Sequence, residues 1–188
     1  MKFTKLITVL FLTGLLISCS SSDENNTNDV NNQNTFTIAN NSYEITNAYI
    51  KRDNLGNSGL YTILLTKGEI LDFNSNPQLF SNDFEYGLGF VVRVPVEASI
   101  LPSITFNYDE DGNSNNYLSV LSFSNQYQIS NNEVQSYNTV MNQNDIVNEE
   151  ARIIVNELND GTFNFNFNAV TTLGQFNGSY TGVVEIIN

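Results

Sequence analysis

The sequence predicts an all-β domain, an antiparallel β-sandwich, with a closed or partly open β-barrel as the alternative. Apolar and polar residues alternate with a period of two along most of the chain after residue 35. Short runs of Gly, Asn, Asp and Ser separate these stretches, as turns do. No later stretch has the period of a convincing helix. A second sheet is therefore expected to cover the apolar face of the first.

The alternating stretches predict the first seven strands in order: residues 35–39, 43–51, 60–66, 87–96, 103–108, 117–129 and 134–140. Residues 52–59 are expected to form a loop. Pro95 predicts that the fourth strand ends there or lies at an edge. Residues 109–116 are expected to turn a hairpin between the two strands that flank them. Residues 141–150 could hold one short helical turn.

The C-terminal stretch predicts a three-stranded antiparallel meander. Its turns are expected at residues 159–161 and 171–174, where Gly supplies the positive φ that tight turns need. In its middle strand Phe163, Phe165 and Phe167 alternate with asparagines, which gives one apolar and one amide-lined face. The apolar stripe is interpreted as core, and the alternative is that it lines a ligand cavity. The last strand is expected to place a second set on one face: Gly178, Tyr180, Gly182, Val184 and Ile186.

The N-terminus has the organisation of an export leader. Two lysines precede a run of about a dozen mostly apolar residues, which is short for a membrane span and typical of a signal helix. The single cysteine of the chain, Cys19, follows this run. We therefore divide the chain into a signal peptide (1–18), a flexible acidic and Asn-rich tether (19–35) and a single all-β domain (36–188).

The residues Leu16-Ile17-Ser18-Cys19 resemble the lipobox of bacterial lipoproteins. The resemblance implies that the Cys19 thiol receives a diacylglycerol and that cleavage makes Cys19 the first residue. Two or three acyl chains are enough for stable anchoring, whereas one is marginal. The alternative is a free cysteine that happens to end an export signal.

Asp23 and Glu24 follow the cysteine closely and resemble the export signal of Bacteroidota-type surface lipoproteins. The strand order and the sequence GSYTG at residues 178–182 also resemble an all-β group of such lipoproteins of unknown function. The resemblance implies an outer-membrane lipoprotein at the cell surface. The alternative is an anchor that faces the periplasm.

Composition excludes several classes of function. The net charge is −13, and a surface this acidic repels nucleic acid phosphates, so no nucleic-acid partner is expected. The chain has no histidine, which excludes Ser-His-Asp and Cys-His catalysis and His-rich zinc sites. A carboxylate pair of the glycoside-hydrolase type stays open, but Trp, a favoured sugar platform, is absent. We expect no enzyme activity and no cofactor.

Two segments qualify as candidate sites. Asp109, Asp111 and Asn113 have the one-three-five spacing of a calcium loop, but Ser114 and Val120 stand where an EF-hand has Gly and Glu. They are a weak metal candidate beside the interpretation as a solvated turn. Residues 67–87 form a long connection that carries Phe73, Phe80 and Phe84. We interpret it as a short extra strand or a flap over the core, and the alternative is an aromatic binding rim.

These observations favour a lipid-anchored, surface-exposed, non-catalytic binding or adhesion domain. The membrane is reached through the lipid anchor, and the further partner is expected to be a glycan or an envelope protein. One alternative is a periplasm-facing barrel that carries an apolar ligand, and another is a carboxylate-based glycan hydrolase.

Overall fold

The computed structural model describes residues 34–55, 58–95, 98, 100–158 and 161–187. The predicted leader, Cys19 and nearly all of the predicted tether lie outside these residues. Within the described chain there is no α-helix, and a single 3-10 turn (Gln143–Asp145) is the short turn expected in residues 141–150. No helix in the described residues has the length and apolar character needed to cross a membrane.

Fourteen strands make up the described chain. The first seven are β1 (Thr35–Ile38), β2 (Asn41–Glu44), β3 (Asn47–Leu55), β4 (Ser58–Lys67), β5 (Ile70–Asp72), β6 (Leu79–Phe80) and β7 (Tyr86–Val94). The others are β8 (Thr105–Asn107), β9 (Tyr117–Ser130), β10 (Glu133–Met141), β11 (Ile146–Glu157), β12 (Thr162–Thr171), β13 (Gly174–Val183) and β14 (Glu185–Ile187).

The strands form two sheets that pack face to face, so the predicted all-β sandwich is confirmed. The six-stranded sheet has the order β2-β1-β13-β12-β11-β8, and the eight-stranded sheet has the order β14-β3-β4-β7-β9-β10-β6-β5. All neighbouring strands are antiparallel except β14, which runs parallel to β3. The meander β11-β12-β13 is present as predicted, and Pro95 follows β7 directly.

The main core lies between the sheets and is rich in phenylalanine. Phe90 of β7 packs on Phe167 of β12 with ring centroids 5.1 Å apart, and Phe36 of β1 meets Phe123 of β9 at 5.0 Å. Phe163, Phe165 and Phe167 are all at most 4% exposed. The alternation in β12 therefore buries one aromatic face, and each such ring contributes about 2–3 kcal/mol through burial.

The eight-stranded sheet curls into a half-barrel around a second, smaller core. The backbone N–H of Ile70 in β5 donates to the hydroxyl of Tyr49 in β3 at 2.9 Å. These strands lie near opposite ends of the sheet order, so this bond requires the sheet to fold back over its own outer face. The second core fills the curl and consists of Tyr49, Ile70, Phe73, Phe80, Phe84 and Ile187.

Three predictions about the connections are wrong. Residues 52–59 form mostly strand rather than loop, since β3 continues to Leu55 and β4 begins at Ser58. Residues 109–116 do not turn a hairpin, because β8 pairs with β11 in one sheet while β9 pairs with β7 in the other. The last strand breaks at Val184, where the chain changes sheets and the alternation is reset. Ile186 is therefore 59% exposed while Ile187 is buried.

Candidate functional site

The weak metal candidate forms a turn stabilised by its own backbone. One carboxylate oxygen of Asp109 accepts from the N–H of Gly112 and the other from the N–H of Ser114, both at 2.8 Å. The hydrogen bond from the Ser114 side chain is the largest cause that holds the pKa of Asp109 below its ordinary value, and the bond from the Ser114 backbone is the next largest. Asp111 and Asn113 are exposed. No group of three His, Cys, Asp or Glu in the described chain could hold a metal ion.

The long connection at residues 67–87 is a covering segment, as preferred from the sequence. It supplies β5 and β6, and Phe73, Phe80 and Phe84 are at most 9% exposed. These rings fill the second core rather than forming a solvent-facing rim. The stripe of Phe163, Phe165 and Phe167 is likewise core, which confirms the preferred interpretation.

The structure reveals a different site, an open groove of about 530 Å³ at the place where the two cores meet. We call it the tyrosine groove. Tyr43 and Tyr86 border it from the side of the main core, and Phe84 and Tyr127 from the side of the second core. The other lining residues are polar and uncharged or acidic: Asn82, Asp83, Glu85, Asn125 and Gln126.

A β-bulge in β9 positions one wall of the groove. Asn125 pairs with Asn138 of β10, and Gln128 pairs with Ser136, so β9 contains one residue more than β10 in this interval. Gln126 has a φ of 55°, which is uncommon for a residue other than Gly. The bulge falls where β9 leaves β7, whose pairing ends at Asn125, and continues into the curl.

The opposite wall is the loop between β6 and β7. The N–H of Phe84 donates to the carbonyl of Ser81 at 3.1 Å, and the N–H of Glu85 donates to the carbonyl of Lys67 at 2.9 Å. The loop also lies directly against Gly68, where an added Cβ would come within 2.4 Å of the Phe84 Cα. Gly68 has a φ of 98°, so glycine is required there for both conformation and space.

Aromatic contacts fix the tyrosine rings. Tyr43 stacks on Phe36 at 4.9 Å and meets the Tyr86 ring edge-on at 5.3 Å. Tyr127 meets Phe84 edge-on at 4.9 Å, and its ring stacks at 5.2 Å on Tyr137, which is 58% exposed. These contacts lower the entropy that the rings would lose on binding a ligand.

The hydroxyl of Tyr86 is held in its neutral form. It donates to the backbone carbonyl of Glu44 at 2.7 Å. Burial, the largest cause, together with the nearby charges of Glu85 and Glu44 raises the pKa of Tyr86 to about 12, against the opposing effect of the hydrogen bond. Burial also raises the pKa of Tyr127. Both groups are therefore uncharged hydrogen-bonding groups at neutral pH.

A second, smaller cavity of about 250 Å³ lies further along the sandwich. Tyr61 of β4 borders this cavity. It lies six residues before Lys67, whose carbonyl accepts from Glu85 at the tyrosine groove, and six residues span roughly 20 Å along a strand. The cavity is also lined by the exposed side chains of Ile100 and Ile186. It offers apolar surface and the guanidinium of Arg52, which lies over the Tyr61 ring at 5.9 Å.

Sequence reasoning missed the tyrosine groove because its walls come from three distant segments. The sequence pattern did not identify four of the groove's lining residues as functional: Tyr43, Asn125, Gln126 and Tyr127. The one local trace in the sequence is the polar run Ser124–Asn125–Gln126 inside a predicted strand, where the structure has the bulge.

Comparison of the chain with models of known protein families, with curated proteins and with solved structures finds no match. The candidate site therefore stands on its own geometry.

Proposed function

We propose that this chain is a lipid-anchored protein of the bacterial cell envelope whose β domain binds a glycan in the tyrosine groove without catalysis. The acyl chains would be attached at Cys19, and the domain would be displayed at the cell surface. The observation that carries the glycan assignment is the open groove, which is lined by ordered tyrosine rings together with amide and carboxylate side chains.

The chemistry of the groove suits a saccharide better than a purely apolar ligand. A sugar ring has C–H-rich faces that pack on aromatic rings and a rim of hydroxyls that both donate and accept hydrogen bonds. Asn82, Asn125 and Gln126 can do both as well, because a primary amide has an acceptor oxygen and a donor nitrogen. The groove is open to solvent, which suits a polar ligand such as a saccharide.

The anchor is supported by the lipobox resemblance at residues 16–19 and by Asp23 and Glu24 behind it. Changing Cys19→Ser removes the only thiol of the chain, so we expect the variant to remain unlipidated and to leave the membrane fraction. Fractionation of cells expressing both forms measures this. Co-sedimentation of the variant with membranes at the wild-type level would contradict the anchor. Protease treatment of intact cells tests surface display, since resistance of the domain would favour the periplasmic face.

The hydrolase alternative has one observation in its favour, since Asp83 and Glu85 both line the groove. Both side chains are exposed, however, whereas the general acid of such enzymes usually lies in an apolar environment that keeps it protonated. The carrier alternative loses its expected lining, because the Phe163–Phe165–Phe167 stripe is packed core. We therefore retain binding without catalysis.

The test is titration of the full chain, in detergent, with soluble oligosaccharides of defined composition. Gln126→Gly removes one groove amide and tolerates the positive φ, and it should weaken binding by about tenfold if the amide bonds the sugar. Gln128→Ala is the control, since Gln128 is exposed on the same strand outside the groove. Equal affinities of the two variants would contradict the site, and shortened oligosaccharides after incubation would contradict the absence of catalysis.

A further inference from the structure

The charged side chains that line the tyrosine groove are all acidic. Asp83 and Glu85 are its two ionisable acids, and none of the described residues that line it is a Lys or Arg. The chain as a whole has a net charge of −13, which favours the approach of a positively charged ligand over a negatively charged one. A ligand that enters it meets acidic, amide and aromatic groups.

Lys67 is the basic side chain whose charge interacts with both groove acids, and it is already paired. Its ammonium donates to a carboxylate oxygen of Glu44. That hydrogen bond is the largest cause of the raised pKa of Lys67, and Glu85 and Asp83 raise it further. Because the ammonium of Lys67 forms its ion pair with Glu44, the carboxylates of Asp83 and Glu85 can form ion pairs with a ligand.

The aromatic side chains of the groove also favour a positively charged ligand. The face of a neutral tyrosine ring carries negative charge density and attracts an ammonium group placed over it. Tyr43, Tyr86 and Tyr127 border the same space as the two carboxylates. An amine in the groove would therefore lie close to tyrosine rings and to a carboxylate, and a charge-assisted hydrogen bond is stronger than a neutral one.

We propose that the tyrosine groove selects glycans that carry free amino groups, namely de-N-acetylated amino sugars, over their N-acetylated or neutral counterparts. This inference rests on the proposed glycan-binding function. Asp83 and Glu85 bind the ammonium groups, and the tyrosine and amide side chains bind the sugar rings.

The experiment compares two probes that differ only at the amine. Glucosamine oligomers and N-acetylglucosamine oligomers of equal length are titrated into the full chain by calorimetry at mildly acidic pH, where the amines of the glucosamine oligomer are protonated. We expect the free-amine oligomer to bind at least about tenfold more tightly. Binding of neither oligomer would overturn the proposed glycan-binding function. Equal binding of both, or preference for the acetylated form, would overturn the charge selection and leave glycan binding standing.

Variants separate the groove from general attraction between a polycation and an acidic protein. Asp83→Asn with Glu85→Gln should abolish the preference for the free amine, so that the two oligomers bind this variant with equal affinity. Glu110→Gln with Asp111→Asn removes the same charge from an exposed loop outside the groove and should change nothing. If both pairs reduce binding equally, the selection does not reside in the groove. A lysine oligomer of matched charge should bind far more weakly, and equal affinity would contradict recognition of the sugar.

Discussion

Gly68 is the position where one methyl group should disturb both the fold and the groove. Its φ of 98° is unfavourable for any other residue, and an added Cβ would lie 2.4 Å from the Phe84 Cα and 2.9 Å from the Phe84 nitrogen. Because these are backbone atoms, the groove loop itself would have to move. Gly174 is a matched control with a φ of 111° and no atom within 4 Å of its added Cβ.

Two effects determine the expected loss of stability: the positive φ and the steric clash with the Phe84 backbone. The left-handed conformation costs about 1–2 kcal/mol for a residue with a Cβ, and this cost applies to both positions. Overpacking at Gly68 adds about 1–3 kcal/mol. Gly68→Ala should therefore lower the free energy of unfolding by roughly 2–5 kcal/mol and Gly174→Ala by roughly 1–2 kcal/mol.

Denaturant unfolding followed by circular dichroism measures the difference, provided that the m-values agree. Thermal unfolding should show the same order, at about 2–4 °C for each kcal/mol. Gly68→Ala should also weaken glycan binding, whereas Gly174→Ala should not. Equal losses of stability for the two variants would refute the close packing of the groove loop on Gly68.

Three further predictions concern the core and the tyrosines. In the GSYTG sequence, an added Cβ at Gly178 would lie 2.5 Å from the Phe36 Cβ and 2.7 Å from the Phe167 ring, so Gly178→Ala should cost about 1–3 kcal/mol. Gly89→Ala, whose closest contact is a serine hydroxyl at 3.3 Å, should cost clearly less in the same denaturation assay, and the reverse order would contradict the packing. Phe165→Ala should cost about 3–5 kcal/mol, because Phe165 is fully buried, while Asn166→Ala on the opposite face should stay within about 1 kcal/mol. Stability should fall as the pH rises from about 10 to about 12, because Tyr86 remains protonated in the folded state while its counterpart in the unfolded chain ionises. Tyr86→Phe should make this fall shallower when unfolding is measured across that range, and an unchanged slope would contradict the raised pKa.

Alternation and turn residues were sufficient to predict the sheets. Burial on one face of β12 follows directly from its Phe and Asn alternation, and Gly161 and Gly174 have the positive φ that the turns of the meander require. These features are local, so the sequence contains them. The short 3-10 turn was also foreseeable, since Asn142 and Asp145 form a capping box around it.

The errors arise where pairing between distant strands overrides local composition. Residues 52–54 look like a loop because they are polar, yet the ladder between β3 and β4 holds them as strand, and Asp53 accepts a hydrogen bond from Thr62. The assignment of β8 and β9 to different sheets depends on β11 and β7, which short-range patterns cannot indicate.

The groove was unpredictable for the same reason. It depends on a bulge at Gln126, on the curl that brings the loop at residues 81–85 onto Gly68, and on Tyr43 from the other sheet. In this chain the bulge coincides only with the short polar run at residues 124–126, and no local pattern accompanies the curl of the sheet.

Hydrogen exchange of the full chain, with and without the glucosamine oligomer, tests the central claim most directly. The account predicts slower exchange in residues 81–86 and 124–127 when the oligomer is bound, and unchanged exchange around Ile100 and Ile186 at the smaller cavity. Protection confined to that cavity, or binding that protects neither wall of the tyrosine groove, would contradict the account.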